Sequence, residues 1–227
     1  MAAPGASETV IVVTGGDPVE RSDLPVLPAG AVVVAADSGI DRAHDLGLRV
    51  DVAVGDFDSV SATALDVAER DGAQVQRHPE AKDATDLELA LGAALDLRPA
   101  RIVVLGGHGG RLDHLLANAL LLASPTFAGV DLVAQMGPAR VTVVRRSSHL
   151  EGAPGDLVTL LALHGRASGV TTEGLLYPLH DAELAAGSTR GVSNELTAPS
   201  ATVRLRHGVL LAVQPGLAGS HLRRNLS

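Results

Sequence analysis

Short apolar runs, each followed by glycine or a polar residue, recur through the first half of the chain and constrain its fold more than any other feature. They lie at residues 9–14, 31–36, 50–54 and 101–105, with a weaker run at 73–77. Segments with helical spacing separate or follow them, at residues 40–46, 62–70, 86–97 and 112–123. Apolar strands that alternate with helices are typical of a parallel sheet covered on both faces. We therefore predict an α/β domain, assigned to residues 1–137.

The pattern changes after about residue 135. Residues 140–144 and 156–163 are strand-like, and only residues 181–186 could form a short helix between them and the last strands. Residues 201–213 alternate between apolar and polar and turn at His207-Gly208, which predicts a β-hairpin. This half of the chain, residues 138–227, is predicted to be an antiparallel β-sandwich.

Composition excludes several classes of function. The 227 residues carry a formal net charge of −8 and three aromatic side chains, which argues against phosphate-backbone binding and base stacking, and so against a nucleic-acid partner. The absence of cysteine excludes disulfides, thiolate zinc sites and cysteine nucleophiles. No apolar run approaches the ~20 residues that span a bilayer, and the first residues lack a basic, apolar signal sequence. We expect a cytoplasmic protein without a membrane partner.

Polar side chains gather where the predicted strands end. Asp37 follows the second strand, Asp56 and Asp58 follow the third, and Arg111 and Asp113 follow the fifth. In an open parallel sheet, ligands bind in the crevice outside these carboxyl ends. One aspartate at a strand end is usually a cap or turn residue. Four of them, from three separate strands, predict a binding site.

Asp56 and Asp58 lie two positions apart in the segment GDFDS. On an extended backbone both carboxylates would point the same way. Two hard oxygen ligands suit Mg²⁺, which takes one or two carboxylates together with substrate phosphates. The same residues also fit an Asx-turn followed by a helix cap, and the sequence leaves both interpretations open.

Two further segments could hold phosphate. Lys82, the only lysine among 18 basic residues, precedes a helix start at which Thr85 can act as the cap. A solvated capping segment is the plainer interpretation. Residues 106–110 (GGHGG) could bring backbone amides close to phosphates that Arg111 would grip, whereas a tight turn would explain the glycines alone. The helix at residues 112–123 is apolar almost all round and is expected to be buried.

Taken in order along the chain, these segments resemble the motifs of the thiamine pyrophosphokinase (thiamine diphosphokinase) family. The matching segments are Asp37-Ser38-Gly39, Gly55-Asp56-Phe57-Asp58-Ser59, Lys82-Asp83-x-Thr85-Asp86, Gly-Gly-x-Gly-Gly-Arg111-x-Asp113-His114, residues 172–179 (TEGLLYPL) and Ser193-Asn194-Glu195. Two positions depart from the family pattern: Ser38 stands where glycine is common, and Tyr177 where tryptophan is common.

The resemblance implies an amino-terminal catalytic, nucleotide-binding α/β domain and a carboxy-terminal β-sandwich that binds thiamine and forms a homodimer, with active sites between subunits. It implies transfer of diphosphate from ATP to the hydroxyl of thiamine, with Mg²⁺ and release of AMP. The implied catalytic residues are Asp56, Asp58, Asp86 and Asp113, of which Asp56, Asp58 and Asp86 would bind the metal. The implied ATP-binding residues are Asp37, Lys82, Thr85, Gly109, Gly110 and Arg111. Tyr177, Ser193 and Asn194 would bind thiamine.

Two other functions stay open on the sequence. One is a diphosphokinase or kinase that acts on another small alcohol such as a pterin, because the acceptor is specified by the second domain alone. The other is a non-catalytic relative that binds a nucleotide or thiamine diphosphate. A pure binder would be expected to lose Asp56, Asp58 or Asp113, and all three are present.

Overall fold

The computed structural model describes residues 8–79 and 84–216 of the chain. The chain divides into two compact units. The first unit runs to Leu121 and includes Gly129–Gly137, and the second comprises Leu122–Ala128 and the chain from Pro138 onward.

A parallel sheet of six strands forms the centre of the first unit, in the order β6-β5-β1-β2-β3-β4. The strands are β1 (Thr9–Val13), β2 (Val32–Ala36), β3 (Val52–Gly55), β4 (Gln74–Arg77), β5 (Arg101–Leu105) and β6 (Asp131–Met136). Every residue of β1 and β2 is buried, as their uninterrupted apolar sequences predict. The predicted parallel sheet is confirmed, with β6 as an additional strand.

Strand β6 was not predicted because a polar residue interrupts its apolar run. Gln135 is 5% exposed, and its side-chain amide donates a hydrogen bond to the carbonyl of Gly137 at 2.9 Å. A buried amide that is satisfied in this way fits an internal strand. The sequence alone does not reveal the partner of the amide.

Helices cover both faces of this sheet, as predicted. They are α1 (Gly39–Asp45), α2 (Ala62–Arg70), α3 (Asp86–Asp96) and α4 (Leu112–Leu122). Helices α1 and α2 share one core with the side chains on one face of the sheet, and α3 packs against β1, β2 and β3 outside that core. Ser61 and Thr85 cap α2 and α3, because their hydroxyls accept hydrogen bonds from the backbone of Ala64 and Glu88. No helix in the described ranges has the length and apolarity needed to cross a bilayer.

Helix α4 is exposed along one side, so the expectation that it is buried all round is wrong. Leu112, Leu116 and Leu120 are 69%, 57% and 50% exposed, whereas Asn118 is 8% exposed. Residues four positions apart share one face of a helix, so the three leucines form a continuous apolar stripe. We refer to these three residues as the α4 stripe.

Two antiparallel sheets make up the second unit, in the orders β12-β9-β14-β7 and β11-β10-β13-β8. The strands are β7 (Ala139–Val144), β8 (Ser147–Glu151), β9 (Leu157–Ala162), β10 (Ala167–Glu173), β11 (Ala182–Leu184), β12 (Asn194–Glu195), β13 (Ser200–Arg204) and β14 (Leu210–Gln214). One core joins them, with Leu160 and Leu210 from the first sheet and Leu150 and Val203 from the second. The predicted β-sandwich is confirmed.

Two details of this unit were predicted wrongly. Strands β13 and β14 do not form a hairpin, because β13 pairs with β8 and β10 whereas β14 pairs with β7 and β9. The turn at His207-Gly208 carries the chain from one sheet to the other, and a turn pattern alone does not specify the partner of a strand. The possible helix at residues 181–186 is strand β11, whose register is set by pairing with β10.

Candidate active site

A pocket of about 480 Å³ opens in the first unit at the carboxyl ends of its strands. Its walls are the turns after β1 and β2, the start of α3, and the glycine-rich loop that leads into α4. Six residues implied by the sequence line this pocket: Asp37, Thr85, Asp86, Gly109, Gly110 and Arg111. Lys82 lies outside the described residues.

The glycine-rich loop packs directly against the turn after β1. The amide of Gly107 donates to the carbonyl of Gly15 at 2.9 Å, and the amide of Asp17 donates to that of His108 at 2.6 Å. A Cβ atom on Gly106 would lie 2.4 Å from the backbone carbonyl oxygen of Thr14, so a larger residue would force the two loops apart. Close packing of the two loops therefore explains Gly106, in agreement with the interpretation of this segment as a tight turn.

Three carboxylates converge near the pocket. Asp37, Asp56 and Asp58 each offer an oxygen, and these oxygens lie within 4.8 Å of one another. The implied metal set contained Asp56, Asp58 and Asp86, and the structure brings Asp37 into this group in place of Asp86. Asp86 lies at the first turn of α3, lines the pocket, and raises the pKa of Asp37 by its charge.

Asp56 and Asp58 do not share a direction through an extended backbone, so that premise is wrong. Phe57 between them has a φ of 64° and a ring that is buried in the core shared with α1 and α2. The guanidinium of Arg77 lies 5.0 Å from the centre of this ring. The amide of Asp58 donates to Oδ1 of Asp56 at 3.2 Å, so a local turn and a convergent carboxylate group coexist here.

Asp37 is the most buried carboxylate of the group, at 6% exposure. Its Oδ2 accepts a hydrogen bond from the hydroxyl of Ser59, while its Oδ1 has no hydrogen-bond partner among the described residues. Burial raises the pKa of Asp37, the charges of the neighbouring carboxylates raise it further, and the bond from Ser59 acts in the opposite sense. A buried carboxylate with an unpartnered oxygen is a natural ligand for a cation.

Arg111 and Asp113 form an exposed ion pair at the start of α4. Arg111 Nη2 and Nε lie 2.6 Å and 3.2 Å from the two carboxylate oxygens of Asp113. The guanidinium lowers the pKa of Asp113 to about 2. Their side chains are 69% and 65% exposed, so the start of this helix is not buried as expected.

In the second unit, the three residues implied to bind thiamine lie next to one another. Tyr177 is 66% exposed and Ser193 is exposed, whereas Asn194 is 7% exposed. Both hydrogen-bonding ends of the Asn194 side chain contact the backbone of Tyr177. Leu176 and Val192 beside them are 47% and 44% exposed, so apolar side chains border the exposed Tyr177 and Ser193.

Two supporting residues were missed by sequence reasoning. Ser59 holds Asp37, and Asn118 donates from its side chain to the carbonyl of Gly107 at 3.0 Å, which fixes the glycine-rich loop. Asn118 could have been found, because it is one polar residue within the apolar sequence of α4. Ser59 could not have been found from its neighbours in the sequence, because its partner Asp37 lies 22 positions earlier.

Sequence and structure comparisons agree on the family. The models of the thiamin pyrophosphokinase catalytic domain and of its vitamin B1 binding domain match residues 26–134 and 143–210. The thiamine pyrophosphokinase of Bacillus subtilis (strain 168) is 26% identical over 219 residues, which are 91% of this chain and 98% of that protein.

Solved structures agree over almost the whole chain. The crystal structure of thiamine pyrophosphokinase from Bacillus subtilis matches with a TM-score of 0.79 at 26% identity, covering 92% of this chain and 99% of the other. That of a thiamin pyrophosphokinase family protein from Enterococcus faecalis matches with a TM-score of 0.75 at 27% identity, covering 92% and 98%. The matched domains, in the order expected from the motifs, place this chain in the thiamin pyrophosphokinase family.

Proposed function

We propose that this protein transfers the terminal diphosphate of ATP to the hydroxyl of thiamine and releases AMP. Family membership supports the reaction. The observation that carries the proposal is the convergence of three carboxylates beside a pocket at the carboxyl ends of parallel strands. An ATP pocket of this kind uses carboxylates through a divalent cation, because the phosphates and the carboxylates repel each other directly.

The carboxylate group fits Mg²⁺. Mg²⁺ prefers hard oxygen ligands and keeps several waters, so two or three carboxylates suffice. Asp56 and Asp58 are the proposed ligands, together with the unpartnered Oδ1 of Asp37. Asp86, whose charge raises the pKa of Asp37, is proposed to act on the same ion through its waters. The ion would neutralise charge on the phosphates and fix their orientation.

The remaining pocket residues are proposed to bind ATP. The backbone of Gly109 and Gly110 can approach phosphate oxygens closely, and the free donors of the Arg111 guanidinium can bind them. Thr85 caps α3, and the first turn of this helix lines the pocket. Lys82 is assigned to the same phosphates on the family resemblance alone.

In the reaction, the thiamine hydroxyl oxygen bonds to the β-phosphorus while the bond from that phosphorus to the oxygen of the α-phosphate breaks. AMP leaves with that oxygen, and the hydroxyl proton passes to a carboxylate or to water. The low pKa of Asp113 makes it a weak base. Its proposed contribution is therefore to orient the guanidinium of Arg111 through their ion pair. Phosphoryl transfer depends chiefly on positioning and charge stabilisation, which these residues supply.

Thiamine is proposed to bind against Tyr177 and Ser193, from a second copy of the chain in a cytoplasmic homodimer. The α4 stripe supports this assembly, because it exposes three leucines on the helix that follows Arg111 beside the ATP pocket. Apolar stripes of this length on a soluble protein usually mark a contact with a partner.

The purified chain can be tested by incubation with ATP, Mg²⁺ and thiamine, followed by separation of the nucleotides and thiamine species. We expect AMP and thiamine diphosphate in equal amounts. ADP together with thiamine monophosphate would instead indicate a simple kinase. If neither appears with thiamine but AMP forms with a pterin alcohol, the acceptor is wrong. If no nucleotide is consumed, the non-catalytic alternative holds.

A further inference from the structure

We infer that Asn194 is a positioning residue that fixes the backbone of Tyr177 and so presents the tyrosine ring to the acceptor, without contacting the acceptor itself. The inference rests on the proposed function, in which Tyr177 belongs to the thiamine subsite. It reassigns Asn194, which the family resemblance placed among the direct thiamine contacts.

Both ends of the Asn194 amide bind the same residue. Its Oδ1 accepts from the amide of Tyr177 at 3.0 Å, and its Nδ2 donates to the carbonyl of Tyr177 at 2.8 Å. Oδ1 also accepts from the amide of Glu195 at 2.9 Å. An asparagine amide has two acceptor sites and two donors, so three of its four bonding positions are used within the protein. With 7% of the residue exposed, little capacity is left for a ligand.

The side chain extends a strand-like pairing by one residue. Residues 174–177 run beside residues 194–197, where the amide of Leu176 donates to the carbonyl of Glu195 at 2.9 Å. The amide of Thr197 donates to the carbonyl of Gly174, also at 2.9 Å. At Tyr177 the Asn194 side chain supplies the donor and the acceptor that a backbone neighbour would otherwise supply. The backbone of Tyr177 is therefore held at both its amide and its carbonyl.

Asn194 is itself held firmly on its other side. It belongs to β12, which pairs with β9 through Val158. The preceding residue, Ser193, has a φ of 58°, and its amide donates to the hydroxyl of Thr159 at 3.1 Å. This anchoring connects the tyrosine backbone to the first sheet of the sandwich.

The exposed groups around this clamp are those suited to contact the acceptor. Tyr177 presents an aromatic ring at 66% exposure, and Ser193 presents a hydroxyl. An aromatic face attracts an organic cation such as the thiazolium of thiamine. A ring whose backbone is already fixed loses less conformational freedom when a ligand binds. Loss of the Asn194 clamp should therefore weaken acceptor binding through Tyr177.

The composition of the chain provides a direct readout. Tyr177 is the only tyrosine and the chain has no tryptophan, so tyrosine fluorescence reports this one ring in the free protein. For Asn194→Ala we expect lower fluorescence anisotropy and faster acrylamide quenching before any substrate is added. We expect the thiamine KM to rise about tenfold, the loss typical of such hydrogen bonds, with the ATP KM and kcat little changed. Adding Asn194→Ala to Tyr177→Ala should have no further effect on the thiamine KM.

Arg145→Met is the matched control. Arg145 Nη2 donates to the backbone carbonyls of Ala123 and Ser124 at 3.0 Å and 2.7 Å, in the same unit but in segments other than those that hold Tyr177. Its loss should lower Tm to a similar degree yet leave the fluorescence and the thiamine KM unchanged. Asn194→Asp keeps an acceptor for the Tyr177 amide and loses the donor. Its fluorescence anisotropy and its thiamine KM should lie between those of the native chain and those of Asn194→Ala.

Three results would overturn the inference. Unchanged fluorescence in Asn194→Ala with a raised thiamine KM would make Asn194 a direct ligand. Additive effects of Asn194→Ala and Tyr177→Ala on the KM would lead to the same conclusion. Equal changes in fluorescence and KM for Arg145→Met would show a general loss of structure. If the native chain does not use thiamine at all, the proposed function fails, while the fluorescence of the free protein still decides whether Asn194 positions the ring.

Discussion

Ser59 donates a hydrogen bond to Asp37 between loops that follow two neighbouring strands. The bond occupies one oxygen of a carboxylate that is 6% exposed and leaves the other without a partner in the described part of the chain. It orients the second oxygen while the neighbouring aspartates crowd it with negative charge. The free protein therefore has a carboxylate under electrostatic strain that a cation can relieve.

Replacement of Asp37 by asparagine tests this arrangement. The pKa of Asp37 is raised in the folded state, so its charged form destabilises the fold at neutral pH. In EDTA, we expect Asp37→Asn to be at least as stable as the native chain at pH 7. That advantage should shrink as the pH falls through the raised pKa, because the native carboxyl then becomes neutral. Thermal unfolding of both proteins over a range of pH measures this difference in stability.

The same variant should respond less to metal. Mg²⁺ should raise the Tm of the native chain more than that of Asp37→Asn, since binding to the folded state stabilises it by mass action. Turnover should fall by roughly 100-fold, the order expected when part of a metal's charge stabilisation is lost. Asp66→Asn, which removes an exposed carboxylate on α2, is the control and should change neither quantity. An equal Mg²⁺ response in native and Asp37→Asn chains would place the ion elsewhere.

The role of Lys82 can be tested by chemical modification as well as by substitution, because it is the only lysine in the chain. If it binds phosphate, Lys82→Ala should raise the ATP KM about tenfold or more, as expected when a charged contact is lost. Lys82→Arg should raise the ATP KM less than Lys82→Ala does, because the guanidinium keeps the charge but places it differently. ATP should also protect Lys82 from acylation, as measured by peptide mass spectrometry. Normal kinetics in both variants would mean that Lys82 is a solvated surface residue.

The sequence predicted well those features that depend on residues close to one another along the chain. Apolar runs specified β1, β2 and β5, and the hydroxyls of Ser61 and Thr85 cap the helices that they precede. These features depend on neighbours within a few residues. The convergence of polar groups at the carboxyl ends of the strands follows from parallel topology alone.

What the sequence did not specify depends on distant partners. The pairing of β13 with β8 and of β14 with β9 is decided by packing between two sheets, which a turn pattern does not encode. The direction of Asp58 depends on the left-handed backbone of Phe57, which is stabilised by burial of its ring. The burial of Asn194 likewise depends on residues 17 positions earlier in the chain.

The α4 stripe gives a specific test of assembly. Leu116 is 57% exposed at the centre of the stripe, so Leu116→Glu should cost the isolated fold little. A charge there would be buried without a partner in a dimer, which should shift the protein toward monomers and reduce activity. Analytical ultracentrifugation measures the shift. Glu69→Gln, an exposed change on α2, serves as the control. A Leu116→Glu protein that stays dimeric would exclude the stripe from the contact.

A shared active site predicts that two impaired chains can restore each other. Asp58→Asn removes a proposed metal ligand from the first unit, and Tyr177→Ala removes the proposed acceptor contact from the second. If each site combines the first unit of one copy with the second unit of its partner, a mixed dimer has one site with both lesions and one with neither. Co-refolding the two variants should then recover up to about a quarter of native activity, since half of the dimers are mixed and each has one intact site. Each variant refolded alone should stay near its own low rate. If mass spectrometry shows that mixed dimers form and activity still does not rise, the acceptor and metal residues of each site belong to the same chain.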